Sequence, residues 1–286
     1  MLILLNRIIL TIFISAVSFS AFSEEMNTNY LKTDWSFKGI FGTFDRASLQ
    51  RGYQVYQEVC SGCHSVQHLS YRNLSEKGGP EFSVEEAKAI ASQFEVEDGP
   101  NSDGEMFMRA GRLSDTFVKP YPNVEASTAA NGGAYPPDMS VLTKARKGGA
   151  DYIYSLLLVY EEAPTGFELD EGVYYNKYMP GNKIKMMSPL SDGLVKYSDG
   201  TPSTTAQMAK DVTAFLVWVA EPHLESQHRM GFKSIIYLII LFILVYMSKQ
   251  KVWSRFGSKK EPEEETFDKV ERAVTEYEGE DPKTFK

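Results

Sequence analysis

The chain has 286 residues, of which 43% are hydrophobic and 13% aromatic, enough for one domain with its own core and further segments. Its formal net charge is -8, with 38 acidic against 30 basic residues. This excess of negative charge argues against a nucleic-acid-binding protein, because such proteins need basic surfaces to meet phosphates. It favours a basic protein partner, or simply a well-solvated surface.

Residues 1–23 have the composition of a secretory signal peptide. Arg7 precedes an apolar run over residues 8–17, and small residues follow, with cleavage expected after Ser20 or Ser23. An uncleaved N-terminal anchor is the alternative. Residues 24–230 are therefore expected to form an exported domain.

Helical periodicity dominates that domain, so its expected fold class is mainly α. Leu49, Tyr53 and Tyr56 recur at helical spacing after Asp45, a suitable cap, and predict a helix that ends at Cys60. Further helices are predicted over 83–94, 141–146, 151–160 and 204–220. Residues 96–135 and 163–189 are interpreted mostly as loop, because Gly, Pro, Asn and Asp are frequent there.

The first helix leads into the run Cys60-Ser61-Gly62-Cys63-His64. Two thiols three positions apart, followed at once by histidine, are typical of covalent attachment of one c-type haem, with His64 as an axial ligand of the iron. A zinc site or a redox dithiol is the alternative. The chain has only two cysteines, so it lacks a second pair to complete a zinc tetrad.

A second axial ligand decides what such a haem can do. Methionine suits electron transfer, whereas an open face suits gas binding or peroxide chemistry. The best candidates are Met186 and Met187, in a loop before the last helix of the domain, and the residues alone do not choose between them. Met139 and Met179 also remain open. His68 follows His64 too closely to reach the opposite face.

Residues 231–249 are predicted to form a transmembrane helix, since they are almost continuously apolar from Ile235 and bounded by Lys233 and Lys249. A buried core helix is the alternative. Basic residues crowd the C-terminal flank, which predicts a cytoplasmic C-terminus. Residues 250–286 form an acidic tail.

These features occur together with sequence segments that resemble the cytochrome c1 family, the haem subunit of ubiquinol–cytochrome c oxidoreductase, in its bacterial form. The resemblance covers roughly residues 35–255. The matching segments are 41–46, 50–56, 60–65, 71–74, 131–140, 144–146, 148–152, 164–166, 199–202, 207–212 and 220–222.

The resemblance implies an enlarged cytochrome c-like haem domain with one C-terminal transmembrane helix. It also implies residue roles. Met186, which opens a Met-x-x-Pro run, would be the axial ligand, so that His64 and Met186 bind the iron. Arg146 and Tyr152 would face the haem propionates, and Asn131 and Pro137 would lie in the haem-lining loop. Met187 departs from the family pattern, which commonly has proline or a small residue there.

The implied function is the transfer of single electrons from a Rieske iron–sulfur protein to a cytochrome c, in a dimeric complex that includes cytochrome b. No independent bond-making chemistry is expected of this chain, and no nucleic-acid partner. The expected location is the bacterial inner membrane, with the haem domain in the periplasm. The alternatives are a monohaem subunit of an oxidase, a peroxidase with an open haem face, and an exported dithiol oxidoreductase.

Overall fold

The computed structural model of the chain describes residues 29–255, 269–272 and 274. Its named α-helices are α1 (Arg46–Val55), α2 (Val84–Ala91), α3 (Val124–Ala130), α4 (Gly149–Leu158), α5 (Thr205–Ala220) and α6 (Leu224–Trp253). Antiparallel strand pairs are β1 (Glu95–Asp98) with β2 (Phe107–Ala110), and β3 (Tyr174–Tyr175) with β4 (Lys183–Ile184). The predicted fold class, mainly α with one C-terminal helix suited to a membrane, is confirmed.

Helices α1 and α5 cross closely in the core of the first compact unit, which ends at His228. A Cβ on Gly52 would overlap the backbone oxygen of Asp211 and lie 2.7 Å from the Cβ of Phe215. Only glycine therefore permits this approach. Tyr53 of α1 and Tyr56, which directly follows α1, pack on the Phe215 ring, at centroid distances of 5.8 and 5.7 Å.

A buried carboxylate fastens the same two helices. Asp211 of α5 has no exposed side-chain surface and accepts hydrogen bonds from Ser48 Oγ at 2.6 Å and Arg51 Nε at 2.8 Å. Gln207 Nε2 donates a further bond at 2.9 Å. A buried charge needs such partners because it has lost its water. The network fixes the position of α1, which leads to the cysteines.

Capping residues explain where the predicted helices begin. Asp45 accepts from the backbone of Ala47 and Ser48 at the start of α1, and Thr204 accepts from Gln207 N at the start of α5. Ser83 and Glu86 form a reciprocal capping box at the start of α2. These helix starts confirm the sequence predictions to within a residue.

One local prediction is wrong. Residues 141–146 form successive turns rather than a helix, and Gly148, with φ of 95°, separates them from α4. Six residues form too few hydrogen bonds to offset the free-energy cost of helix nucleation without a strong cap. Residues 96–135 are mostly loop, as predicted, and the loop also contains most of the β1–β2 hairpin and the short helix α3. The hairpin is closed by Arg109, which pairs with Asp98 and Asp115.

Helix α6 is 30 residues long and carries an apolar stretch of mean hydropathy 2.2, none of it buried in the protein. At 1.5 Å per residue its length is about 45 Å, more than the ~30 Å of a bilayer core. The helix encloses the predicted span 231–249. The predicted signal peptide lies outside the described residues, as does most of the acidic tail, of which residues 269–272 are helical.

Candidate haem site

Helix α1 does not end as an α-helix. Residues Tyr56–Cys60 continue it as a π-helical turn, in which Ser61 N donates to Tyr56 O at 2.8 Å. Such turns occur often at functional sites. The carbonyl of Cys60 then accepts from Cys63 N at 3.1 Å and His64 N at 2.9 Å. Both thiols and the imidazole are thus carried by one compact turn.

Neither cysteine is in a disulfide, and Cys63 is the more exposed of the two. Burial, with the neighbouring Cys63 thiol, raises the pKa of Cys60 to about 12. This thiol is therefore protonated at neutral pH, unlike the low-pKa cysteine of a dithiol oxidoreductase. Among the described residues no three His, Cys, Asp or Glu side chains converge as metal ligands.

His64 is held through one ring nitrogen. Its Nδ1 lies 2.9 Å from the carbonyl oxygen of Pro137. A carbonyl can only accept, so Nδ1 carries the proton and donates it, which leaves the lone pair on Nε2. Burial lowers the pKa of His64 despite this hydrogen bond, and the ring is neutral at physiological pH. A neutral imidazole with a free Nε2 is ready to bind a metal.

The segment around Pro137 is fastened to the segment around His64 by Asp138. Its carboxylate accepts from Ser65 Oγ at 2.7 Å, and from the backbone of Ser140 at 2.9 Å and Gln67 at 3.2 Å. Burial raises the pKa of Asp138, but the hydrogen bonds from Ser140 and Ser65 outweigh it, and the pKa lies below its usual value. The carboxylate is therefore ionised at neutral pH.

Met186 and Met187 lie in the bend that follows β4. Met186 is half-buried, whereas the side chain of Met187 is 64% exposed. Lys185 Nζ donates to the carbonyl of Gly132 at 3.1 Å, next to Asn131. Asn131 ends α3, and its Nδ2 donates to Ser127 O at 2.7 Å. The Lys185 hydrogen bond thus connects the bend to the loop that runs from Asn131 to Pro137.

Arg146 and Tyr152 lie close to each other at the start of α4. Tyr152 is buried, and burial raises the pKa of its hydroxyl, an effect that the exposed Arg146 guanidinium opposes. The hydroxyl donates to Met179 Sδ at 3.8 Å. Tyr30, whose ring centroid is 5.6 Å from that of Tyr152, has a buried hydroxyl without a hydrogen-bond partner, and so has Tyr160.

The expected site residues therefore fall into three groups, of which the first two are linked. Cys60, Cys63, His64 and Pro137 form the first. Asn131 and the Met186 bend form the second, which residues 131–137 join to the first. Arg146 and Tyr152 form the third, in which Tyr152 contacts Met179, seven residues before Met186.

Sequence reasoning missed Ser65, Asp138 and Tyr160. Asp138 directly follows Pro137 in the run Pro-Pro-Asp-Met-Ser, and this position could have drawn notice to it. A small cleft of about 80 Å³ also adjoins Cys63, with Tyr121, Tyr135 and Pro136 among its lining residues.

The side chains present fit a covalently held haem. The two thiols are free to add to its vinyl groups, and His64 Nε2 is available for its iron. Arg146 offers a fork of donors for carboxylates. The unpartnered hydroxyls of Tyr30 and Tyr160 beside Tyr152 are further polar groups that a propionate-bearing ligand could satisfy.

Comparison with known proteins places these residues in a family context. The Cytochrome C1 family matches residues 35–256. The cytochrome b/c1 of Bradyrhizobium diazoefficiens is 50% identical over 239 residues, which are 77% of this chain but only 35% of that protein. The mitochondrial cytochrome c1-2, heme protein, of Solanum tuberosum is 49% identical over 226 residues, 79% of this chain and 86% of that protein. The mitochondrial cytochrome b-c1 complex catalytic subunit of Candida albicans is 46% identical over 228 residues, 79% and 78% of the respective chains.

Proposed function

Because the chain belongs to the cytochrome c1 family, we propose that it is the haem subunit of a cytochrome bc1 complex. In this role it carries one haem c on Cys60 and Cys63, and passes single electrons from a Rieske iron–sulfur protein to a cytochrome c. Cytochrome b is the third partner, and the complex is a dimer. The relatives' printed names, which include a heme protein and a subunit of the cytochrome b-c1 complex, support this assignment.

One observation carries the proposal: the hydrogen bond of 2.9 Å from His64 Nδ1 to Pro137 O, on the turn that also bears both thiols. It fixes the tautomer and the orientation of the ring, as an outer partner does for a ligating histidine. Neither a redox dithiol nor a structural turn needs an imidazole held in this way.

The chain's own residues do the following. Cys60 and Cys63 would hold the cofactor in place, and His64 Nε2 and the Met186 sulfur would bind its iron. When bound, the haem supplies an iron that accepts and releases one electron. Two protein ligands would leave no open position for a substrate and would limit rearrangement between the oxidation states. Arg146 and Tyr152 would bind the propionates, while Asn131 and Pro137 would line the cofactor.

The choice of Met186 over the other methionines rests on burial and position. A ligating sulfur must be shielded from water, and Met186 is the more buried of the adjacent pair. Met139 lies on the His64 side, because its backbone nitrogen donates to Ser65 O at 2.8 Å. It is therefore badly placed for the opposite face.

The proposed location is the bacterial inner membrane. The domain arrangement is a signal peptide (1–23), a periplasmic haem domain (24–230), a transmembrane helix (231–249) and a cytoplasmic tail (250–286). Support comes from helix α6 and from the basic residues that flank its C-terminal end, Lys249, Lys251 and Arg255.

Charge favours a basic electron acceptor. Residues 24–229 contain 28 Asp and Glu against 19 Lys and Arg. Such an excess steers a positively charged cytochrome c towards the domain, and dissolved salt screens the attraction. A rate of electron transfer to cytochrome c that does not change with ionic strength would remove this part of the proposal.

The test is to purify the chain from its own membranes in mild detergent, identify the co-purifying subunits and titrate the haem potentials. We expect a cytochrome b, a Rieske protein and a haem that stays on this chain in a denaturing gel. After removal of the Rieske protein, quinol should no longer reduce this haem, whereas a chemical reductant still should. Co-purification with a copper–haem subunit would instead assign the chain to an oxidase.

A further inference from the structure

Asp138 joins the two segments that meet at the His64 ring. One carboxylate oxygen accepts from Ser65 Oγ and from Gln67 N, and the other accepts from Ser140 N. Ser65 directly follows His64, and Asp138 directly follows Pro137. Both partners of the His64–Pro137 hydrogen bond therefore have a neighbour in this network.

Ser140 completes the connection from the other direction. Its hydroxyl oxygen accepts from Gln67 N at 2.8 Å and from His68 N at 3.2 Å. Ser140 has no exposed surface and Ser65 is only 8% exposed, so water competes little for these groups. The hydrogen bonds therefore hold a defined geometry rather than a solvated, changing one.

The position of Asp138 affects the His64 imidazole through a planar peptide group. The carbonyl of Pro137 and the nitrogen of Asp138 belong to one peptide unit, which is flat. Fixing the side chain and backbone of Asp138 therefore fixes the direction of the Pro137 carbonyl. That carbonyl is the acceptor for His64 Nδ1.

We propose that Asp138 is a positioning residue for His64, which sets the strength of the Nδ1–H···O=C bond and through it the reduction potential of the site. The inference rests on the proposed function, since it requires His64 to bind the haem iron. A strong hydrogen bond at Nδ1 makes Nε2 the better electron donor. A better donor favours the oxidised iron, so weakening this bond raises the potential.

Three substitutions separate positioning from charge. Asp138→Asn removes the charge but keeps a side-chain oxygen that can accept from Ser140 N. Its new NH2 group can donate to Ser65 Oγ. Gln67 N keeps its other acceptor, Ser140 Oγ. Asp138→Glu keeps the charge but is one carbon too long for the same contacts. Asp138→Ala removes both. Asp45→Asn is the matched control, because Asp45 accepts backbone hydrogen bonds at the start of α1, far along the chain from His64.

The potential of the haem is measured by redox titration of each full-length variant in the purified complex. Asp138→Ala and Asp138→Glu are expected to favour the reduced form about tenfold more than the parent, a rise of about 59 mV for one electron. Asp138→Asn and Asp45→Asn should stay close to the parent. Equal shifts in Asp138→Asn and Asp138→Ala, with none in Asp138→Glu, would show that charge acts instead, and would overturn the proposal.

A second readout follows the hydrogen bond itself. The chain has four histidines, so selective ¹⁵N labelling gives a simple NMR spectrum of the reduced protein. Exchange of the His64 Nδ1 proton with solvent should be at least about tenfold faster in Asp138→Ala and Asp138→Glu, because its acceptor is no longer held. Unchanged exchange would overturn the proposal.

Two controls keep the test decisive. If Asp138→Ala does not acquire haem, Ser65→Ala replaces it, with a smaller shift in the same direction expected and an unchanged potential counting against us. If the parent chain carries no covalent haem, the proposed function fails. If the parent carries it and the variants behave like the parent, only the role of Asp138 fails.

Discussion

The His64 side and the Met186 side of the candidate site are built differently. Residues 64–68 are joined to residues 137–140 by a dense set of hydrogen bonds, most of them partly buried, that centres on Asp138. Met186 instead lies in a bend after a two-residue strand, where Lys185 reaches Gly132 from an exposed position. If the proposed haem site is correct, we expect the His64 face to be formed by the protein in advance and the Met186 face to be completed by the loop when the cofactor is bound.

The largest effect is expected from removing the attachment point. The double substitution Cys60→Ala with Cys63→Ala should abolish the haem that survives a denaturing gel, since no thiol remains for the vinyl groups. Ser61→Ala, between the two cysteines, should retain it. If the His64 side is formed in advance, the amides of Gln67 and Met139 stay protected from hydrogen exchange in the double variant. Loss of that protection would mean that the cofactor builds this side too.

Substitution of Met186, the proposed axial ligand, tests the other side. Met186→Ala should lower the midpoint potential by about 0.2 V, within the ~0.8 V range that axial ligands span, because a thioether ligand raises the potential. Met187→Ala, one position along, should leave it nearly unchanged. A redox titration of both variants checks this, and the reverse pattern would make Met187 the ligand.

Substitutions in the α1–α5 network, which positions the turn that carries His64, should lower the stability of the fold. Arg51→Met leaves the fully buried Asp211 carboxylate without its cation, which typically costs about 3–5 kcal/mol of unfolding free energy. Arg72→Met, at an exposed position, should cost less than about 0.5 kcal/mol. Denaturant titration in detergent gives both values. Equal stabilities would show that the α1–α5 network does not hold the framework.

The smallest effect concerns the closing of the loop. Lys185→Ala removes the hydrogen bond to Gly132, which contributes roughly 0.5–1.4 kcal/mol. The fraction of molecules in which the Met186 loop is open should therefore rise about two- to tenfold. Cyanide, which enters when the methionine leaves, should then bind the oxidised protein faster by that factor. Lys183→Ala, two residues earlier, serves as the control. No change in Lys185→Ala would show that the loop is held by other contacts.

The local parts of the fold could be predicted from the sequence. Asp45, Ser83 and Thr204 carry their capping information in the residue itself, and the helices they start were found. The π-helical turn at Tyr56–Cys60 could not be found, because its change of hydrogen-bond partner leaves the side-chain pattern almost unaltered. The helix predicted over 141–146 failed because a six-residue pattern carries too little information against its surrounding turns.

The candidate site, by contrast, could be predicted from the sequence only in part. The run from Cys60 to His64 contains its own chemistry, so it could be recognised alone. The contact between His64 and Pro137 joins residues 73 positions apart, and no local pattern contains it. The family resemblance implied only that Pro137 lies in the haem-lining loop. Asp138 was missed because an acidic residue after two prolines also suits an ordinary turn.

The central claim is that His64 and Met186 close both faces of the haem. Carbon monoxide binds reduced haem iron that has an open or easily vacated position, so its addition to the reduced, purified complex at neutral pH tests the claim directly. We expect the absorption spectrum of this haem not to change, whereas Met186→Ala should become reactive. A carbon monoxide complex of the unaltered chain would contradict it and favour an open haem built for ligand or peroxide chemistry.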